Sequence, residues 1–331
     1  MDALSDVLRA VRLTGAVFLD AELRSGCSYL TPPPEAIGAL HMPGAEHIIP
    51  YHLVTEGRLR ASLPEGDPVV ELKAGELILF PHGDRHVLAS VSAGELRHIE
   101  VSGEELYSLL RPGEVTPWKS GAGGEATRLV CGYLACDRRL SEPIIAGLPR
   151  ILRVSVKDSG IASWVESSVR FSVAESAMPR PGGATVLAKL SELLFVEAIR
   201  QYIETLPPGQ TGWLAGLRDR FVGRALALLH EEPAHAWTVD ELARQVGLSR
   251  SALADRFVEL VGQPPMQYLT RWRLSLAAQQ LLSGSRALTQ IAEGVGYDSE
   301  AAFNRAFKRE FGVPPATWRR NGTAAAAGKA A

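Results

Sequence analysis

The sequence predicts an α+β protein of two domains, a closed all-β domain followed by an all-helical domain that contains a duplicated unit. Short runs of β-type residues, separated by turns rich in Gly and Pro, fill residues 1–155. From about Ser159 the pattern changes to helical periodicity. The chain has 331 residues, which exceeds the size at which a single hydrophobic core usually stops growing.

Particular segments carry the strand and helix predictions. The clearest strand-like runs are Glu76–Phe80, Leu96–Val101 and Arg128–Leu134, and such short strands at close spacing are typical of a barrel or sandwich. Helical segments are expected over 159–206. Among them, Ala184–Leu206 has apolar residues near a 3.6 period and stops at a Pro-Pro-Gly turn, so that residues 207–217 are predicted to form a linker. The wide apolar face of 184–206 suits either a core helix packed on the barrel or a dimer helix.

Charge and cysteine content narrow the class of protein. Residues 213–331 hold 15 Lys and Arg against 11 Asp and Glu, whereas residues 1–212 hold 20 against 26, which favours a nucleic-acid module at the C-terminal end. Three cysteines are too few for a disulfide framework, so a reducing, cytoplasmic compartment is expected. Neither a signal peptide nor a membrane-spanning run is predicted, and residues 321–331 are predicted to be a disordered tail.

The C-terminal part contains an internal repeat, Trp237–Pro265 and Ala287–Pro315, in which Ala243 matches Ala292 and Gly247 matches Gly296. Each copy has the features of a helix-turn-helix. In the first copy Thr238 is suited to cap a short helix, Gly247 to form the tight turn, and Ser249 or Ser251 to cap the second helix. Leu253, Phe257 and Leu260 of the first copy, and Ile291, Ala292, Phe303 and Phe307 of the second, are expected to face inward. The two motifs are predicted at about 238–261 and 288–311.

A connecting helix is predicted between the two copies. Tyr268–Leu282 has apolar residues at helical spacing and no breaker. A rigid connector of that length could hold two recognition helices about 34 Å apart, one turn of B-DNA.

The segment PPMQYLTRWRLSLAAQQLL, followed by IAEGVGYDSEAAFNRAFKREFGVPPATWRR, resembles the signature of AraC/XylS-family transcription regulators over residues 218–320. The resemblance implies that the second helix of each module enters a major groove, at about Arg250–Leu260 and Ser299–Phe311. The groove-facing candidates are then Arg250, Ser251, Ala254, Asp255 and Arg256 in the first helix and Glu300, Ala301, Asn304 and Arg305 in the second. Arg305 is suited to guanine and Asn304 to adenine, while Arg271, Lys308 and Arg309 are expected to contact phosphate.

Asp255 departs from the family pattern, because many members carry a basic residue there. An acid can accept a hydrogen bond from cytosine but repels phosphate, so base reading by the first module is in doubt.

The N-terminal part, residues 3–205, resembles the cupin-type sensor of an AraC subfamily. The segment Gly75–His86 matches the second cupin motif, G-x5-P-x-G-x2-H, and His52–Gly57 resembles a degraded first motif. This implies a small β-barrel, with His52, Glu56 and His86 in register as candidate ligands for a divalent metal. Pro50 stands where a further ligand is usual, and the alternative is that both histidines are hydrogen-bonded barrel residues.

The cysteines offer a different signal. Cys27, Cys131 and Cys136 are candidates for a redox or metal response, and basic residues beside Cys136 could lower the pKa of its thiol. Cys131 also reads simply as a small buried hydrophobe. A small organic effector in the barrel mouth is the third alternative.

Two functions follow from these observations. The first is a sequence-specific DNA-binding regulator with a sensor domain at 1–206, a linker at 207–217 and a DNA-binding domain at 218–320. Its partners would be promoter DNA, an effector of unknown identity, a second copy of the chain and, for an activator, RNA polymerase, with no membrane contact. The alternative is a cupin metalloenzyme with a helical extension, which the missing ligand at Pro50 and the duplicated motif disfavour. No catalytic residue and no firm cofactor are predicted.

Overall fold

The computed structural model describes residues 2–91 except 12, 25, 35, 38–41, 43, 44 and 67, and then 97, 98, 110, 115–121, 123–155, 167, 171 and 181–327. The chain forms two compact units. The barrel unit comprises Leu13–Arg138 and Leu148–Thr205, and the helical unit comprises Met1–Arg12, Arg139–Gly147 and Leu206–Ala331. In the described part of the chain no helix is long and apolar enough to cross a membrane.

The barrel unit consists of two sheets around one apolar core. Its strands are β1 Thr14–Leu23, β2 Cys27–Leu30, β3 His47–Glu56, β4 Arg58–Ser62, β5 Val70–Lys73, β6 Glu76–Leu79, β7 Val87–Ser90, β8 Arg97–His98, β9 Thr116–Ser120, β10 Thr127–Cys136 and β11 Leu152–Ser155. The sheet orders are β11-β6-β3-β10-β1-β9 and β5-β4-β7-β2-β8. The strands predicted at Glu76–Phe80 and Arg128–Leu134 are confirmed, whereas most of Leu96–Val101 and of 159–182 lies outside the described residues.

Strands β3 and β10 show how alternation fills the core. Leu129, Cys131, Tyr133 and Ala135 of β10 all belong to the apolar cluster, because every second residue of a strand points to the same face. Cys131 lies opposite His52, and Leu129 lies opposite Val54. The next pair is Arg128 with Glu56, so that Thr55 is an extra residue, a β-bulge.

A long helix, α3 (Gly183–Thr205), covers the outer face of the first sheet, close to the predicted span of 184–206. The hydroxyl groups of Tyr51 and Ser191 lie 2.5 Å apart and join strand β3 to this helix. Gly15 leaves no room for a Cβ beside the backbone of Ala188, so the helix approaches β1 at backbone distance. Core packing is thus one role of this helix.

The helical unit is built from the following helices, numbered in chain order together with α3: α1 Ala3–Val11, α2 Arg138–Ile145, α4 Trp213–Arg218, α5 Arg220–Glu231, α6 Val239–Val246, α7 Arg250–Val261, α8 Pro265–Ser283, α9 Leu288–Gly294, α10 Glu300–Phe311 and α11 Pro315–Ala327. Helices α6 and α7 form the first predicted helix-turn-helix and α9 and α10 form the second. The predicted connecting helix is confirmed as α8, longer by three residues at its start and by one at its end.

Two segments from the N-terminal half of the chain fold with the helical unit, although the domain boundary predicted from the sequence places all of 1–206 in the sensor domain. Helix α1 buries one apolar face, Ala3, Val7, Ala10 and Val11, and packs on α5 and α8. In the segment 139–147, Arg139 donates a hydrogen bond to the carbonyl of Phe311 at 3.0 Å. These two segments belong to the helical unit because their apolar and hydrogen-bonding groups are buried there. Their position in the sequence does not reveal this burial.

Two predicted boundaries were wrong. The linker at 207–217 contains the start of α4, since Trp213 and Leu214 are buried and the indole of Trp213 donates to the Tyr268 hydroxyl at 2.9 Å. The tail predicted as disordered from residue 321 is helical as far as Ala327. A run of alanines has the highest intrinsic helix propensity, so α11 continues through it.

Candidate nucleic-acid interface

The first helix-turn-helix is held by the local contacts that its sequence predicts. The hydroxyl of Thr238 accepts a hydrogen bond from the amide of Glu241 at 3.2 Å, and that of Ser249 accepts from Ala252 at 3.2 Å. Between the helices Gly247 has φ 79, a left-handed conformation that costs glycine little. Of the two candidate caps, Ser249 rather than Ser251 begins α7.

The second helix-turn-helix repeats this construction. Ser299 caps α10 by accepting from the amide of Ala302 at 3.3 Å, and Gly296 has φ 83 in the turn. Ile291, Ala292, Phe303 and Phe307 are all buried, as predicted. Because these side chains turn inward, the other positions of α10 form the outer face.

In the first recognition helix, two arginines are held by carboxylates. Arg256 binds Asp219 through Nε at 2.9 Å and through Nη2, and its guanidinium lies 5.8 Å from the ring centre of Phe221. Asp219 is also the cap of α5, accepting from the amides of Phe221 and Val222. Burial would raise the pKa of Asp219, but these hydrogen bonds outweigh it and lower the pKa. Arg250 lies 3.5 Å from Asp240.

The remaining candidates of the first recognition helix are differently placed. Ser251 and Asp255 are exposed and Ala254 is half-buried. Arg256 is therefore a residue that ties α7 to α5. The outer face of α7 carries the acid Asp255, which forms no ion pair with any residue that the structure describes.

The second recognition helix presents an exposed basic face. Arg305, Lys308, Arg309 and Ala301 are exposed and Asn304 is half-buried. Within 206–327, all of which the structure describes, no ion pair includes Arg305, Lys308 or Arg309. Glu300 instead accepts a hydrogen bond from Thr289 of α9 at 3.1 Å, so it joins the two helices of its module.

Arg271, predicted to contact phosphate, lies on α8 with its Nε 3.2 Å from Glu310 and its Nη1 3.4 Å from the side-chain oxygen of Gln263. It therefore links the connecting helix to the end of the second recognition helix.

The three candidate metal ligands of the barrel do not converge. The Nε2 atoms of His52 and His86 lie 2.6 Å apart in the core, and burial lowers the pKa of both imidazoles, that of His86 to about 4. Glu56 is exposed on the opposite face and its Oε2 lies 3.7 Å from Arg128, because the bulge at Thr55 reverses the alternation between His52 and Glu56. No group of three His, Cys, Asp or Glu suited to a metal occurs in the described residues. The arrangement does not fit the predicted metal site.

The histidine pair nevertheless leaves one polar atom without a partner. His86 Nδ1 lies 2.9 Å from the carbonyl of Asp84, and its ring stacks on Phe80 at 3.6 Å between centres. Nδ1 of His52 is buried and has no hydrogen-bond partner among the described residues.

The three cysteines are buried free thiols. Cys131 and Cys136 are five residues apart on one strand, which separates them by about 16 Å, far beyond disulfide reach. Burial raises the pKa of the Cys131 thiol, opposite to what a reactive thiolate requires. The Sγ of Cys27 accepts a hydrogen bond from Ser120 at 3.7 Å. Cys131 thus has the environment of a structural cysteine.

Sequence reasoning missed two residues of the helical unit. Arg273 of α8 donates to three backbone carbonyls, and His230 of α5 lies buried with its Nε2 2.7 Å from the Tyr268 hydroxyl. Arg273 is visible in the sequence only as the second arginine of the run Arg-Trp-Arg. Its partners come from loops some 23 to 40 residues away, which no local pattern connects.

A β-barrel followed by two helix-turn-helix modules on one connecting helix defines a DNA-binding transcription regulator. Comparison with known families agrees, since residues 2–204 match the model of the family described as Cupin and residues 242–321 match that described as Helix-turn-helix domain. The chain belongs to the AraC-like transcription regulators with a cupin N-terminal domain.

Relatives match along most of the chain. An AraC-like transcription regulator of Streptomyces lividans is 34% identical over 84% of this chain and 89% of its own length. The HTH-type transcriptional regulator AlkR of Acinetobacter baylyi is 28% identical over 97% and 99%, and the RCS-specific HTH-type transcriptional activator RclR of Escherichia coli is 28% identical over 96% and 97%.

Proposed function

We propose that this regulator binds a two-part operator in promoter DNA, with α7 and α10 in successive major grooves and with most of the base reading done by α10. The observation that carries the proposal is the contrast between the two outer faces. Arg305 and Lys308 on α10 are exposed and have no carboxylate partner in the part of the chain that the structure describes, whereas Arg256 on α7 is bound by Asp219. An arginine free of protein partners keeps all its donors for a guanine edge.

The other outer positions receive roles by their chemistry. Asn304 is suited to an adenine edge, and Ala301 and Ala254 to the methyl group of thymine. Lys308 and Arg309 near the end of α10, and Arg250 and Ser251 at the start of α7, are suited to phosphate, which positions the protein without reading sequence.

The test uses duplexes recovered by the full-length protein from a random-sequence pool. Arg305→Ala is expected to weaken binding to the recovered duplex by about 10- to 100-fold and to relax selection at one base pair. Lys308→Ala is the matched control, since it should weaken binding to all duplexes alike and reduce the salt slope by about one. If neither variant alters affinity or selectivity, the assignment of α10 as the reading helix is wrong.

We infer that the barrel is the sensor part and that its effector is an organic molecule rather than a metal. Nδ1 of His52 has no partner among the described residues, which supports a ligand with a hydrogen-bonding group. Because Glu56 points outward, only two of the three predicted metal ligands, the imidazoles of His52 and His86, lie together. The same geometry disfavours the alternative of a metalloenzyme. Titration of the protein with Zn(II) and with Fe(II) should leave its melting temperature unchanged within about 2 °C, whereas tight metal binding would raise it.

We propose that α3 also pairs with α3 of a second copy. Val186 and Leu193 on its outer face are 43% and 48% exposed, although both are large apolar side chains. Leu193→Glu should convert a dimer to a monomer in analytical ultracentrifugation. Val69→Glu, at a 58% exposed apolar residue of the barrel outside this helix, is the control and should leave the mass unchanged. A wild-type monomer at all concentrations would contradict this pairing.

If the regulator is an activator, RNA polymerase is a further partner.

A further inference from the structure

Arg273, in the middle of the connecting helix α8, contacts backbone atoms of the loop that precedes the first helix-turn-helix module and of the turn inside the second. Its Nε donates to the carbonyl of Pro233 at 2.5 Å and its Nη2 to that of His235 at 2.7 Å, both in the loop that precedes α6. Its Nη1 donates to the carbonyl of Gly296 at 3.3 Å, in the turn between α9 and α10. One planar guanidinium therefore joins the loop before α6 to the turn between α9 and α10.

The turn of the second module also touches the loop that precedes the first module. A Cβ on Gly296 would lie 2.8 Å from the carbonyl oxygen of Ala234, 2.9 Å from its Cα and 3.0 Å from the guanidinium carbon of Arg273. Distances of this size leave no room for a side chain. The turn of the second module thus packs directly on the loop that precedes the first module, beside Arg273.

The connecting helix alone does not fix the angle of the second module. Between the end of α8 and the start of α9 lie the non-helical residues 284–287, which begin with Gly284 in an extended conformation. Such a segment permits rotation of α9 and α10 about the end of α8. The contact of Arg273 with Gly296 lies beyond this segment and restrains that rotation.

The chemistry of the guanidinium suits it to hold this contact in one geometry. The guanidinium is planar and presents its donors in a rigid fork, so three carbonyls can be held in one geometry. Within the described residues 206–327 no ion pair includes Arg273, and partial burial lowers its pKa. Hydrogen bonds from a charged donor are stronger than those between neutral groups, so each of the three contacts resists breaking.

We infer that Arg273 is a positioning residue that fixes the separation and angle of the two recognition helices, and so sets the spacing that the regulator accepts between its two half-sites. The inference rests on the proposed binding of a two-part operator. Arg273 acts here through backbone atoms and does not itself contact DNA.

The experiment compares full-length wild type and Arg273→Met on the duplex that wild type recovers from a random pool, and on the same duplex with one, two or three base pairs inserted between the half-sites. Wild type is expected to lose about 100-fold or more in affinity on insertion of two base pairs. Arg273→Met should bind the original spacing about 10- to 100-fold more weakly and should distinguish the spacings by less than about fivefold. Its salt slope should equal that of wild type, because no phosphate contact is lost.

Two further variants keep the test decisive. Arg273→Lys retains the charge but its single ammonium group does not span three carbonyls, so the spacing preference should also weaken. Arg224→Met removes an exposed arginine from α5 and should leave the spacing profile unchanged. If Arg273→Met does not fold, as judged by its melting curve, the lysine variant decides.

Three results separate failure of the inference from failure of the proposed function. A wild-type spacing profile in Arg273→Lys and Arg273→Met overturns the inference. A salt slope reduced by about 0.9 with an unchanged spacing profile makes Arg273 a phosphate contact and also overturns it. Failure of wild type to recover any two-part sequence overturns the proposed function itself.

Discussion

The two helix-turn-helix modules have the same interior and different surfaces. Each is closed by a serine cap, a left-handed glycine turn and buried phenylalanines, Phe257 in the first and Phe303 and Phe307 in the second. Their outer faces diverge, since the first binds Arg256 in an internal ion pair and exposes Asp255, while the second exposes Arg305 and Lys308. Folding requires the shared interior, whereas recognition depends on the surface, so the two modules can fold alike and bind DNA unequally.

The largest effect should come from the shared interior. Phe257→Ala and Phe307→Ala are each expected to lower the free energy of unfolding by about 3–5 kcal/mol, because each leaves a cavity at a fully buried ring. Urea denaturation followed by tryptophan fluorescence measures the loss. Similar losses of unfolding free energy in the two variants would support equally tight packing of the two interiors. A loss below about 1 kcal/mol in one module would show that its core packs less tightly than the structure indicates.

A smaller effect should appear in the pH dependence of the free energy of unfolding, and it should come from the side of the helical unit that holds the first module. Helix α5, which packs against α6 of the first module, carries the buried His230, whose pKa burial lowers to about 3, while the second module has no histidine in residues 287–327. The unfolded chain therefore binds a proton near pH 6.5 and the folded chain does not. The free energy of unfolding is unaffected by His230 above that pH and falls by about 1.4 kcal/mol per pH unit below it.

His230→Gln removes this titration and should make wild type lose about 2 kcal/mol more than the variant between pH 7 and pH 5. Taking the difference between the two proteins cancels the similar contributions of His52 and His86 in the barrel. Parallel pH profiles for both proteins would contradict a neutral His230 in the folded state.

The smallest effect concerns the surface alone. Asp255→Asn should strengthen binding to the recovered duplex by less than about tenfold, because it removes a negative charge from a helix that we propose lies in a major groove beside phosphates. Glu259→Gln, one turn further along α7 and away from its groove-entering end, is the control and should change affinity less. Fluorescence anisotropy at low salt would detect the difference. Weaker binding by Asp255→Asn would indicate that Asp255 accepts a hydrogen bond from a cytosine.

Much of the helical unit was predictable, because its signals are local. Caps at Thr238 and Ser249, the turn at Gly247 and the inward phenylalanines all follow from spacing within ten or so residues. The second copy at an offset of 49 or 50 residues repeats the same pattern, and two copies make chance agreement improbable. The long helix α8 was predictable for the same reason.

The barrel site was less predictable, because it depends on register. The sequence motif places His52 and Glu56 on one face of a strand, four residues apart. A single extra residue at Thr55 moves Glu56 to the other face, and only the pairing of β3 with β10 shows it. The histidines did come together, since the regular pairing of His52 with Cys131 points His52 into the core, where its ring meets that of His86.

By itself, the sequence determined the family, the order of the two domains and the residues that form each helix-turn-helix, since periodicity, capping and turn chemistry act over short distances along the chain. Tertiary structure alone decided that α1 and residues 139–147 fold with the DNA-binding unit, that Asp219 holds Arg256, and that Arg273 joins the loop before the first module to the turn of the second. Those contacts join residues far apart in the chain, where burial and hydrogen-bond geometry decide which partners meet.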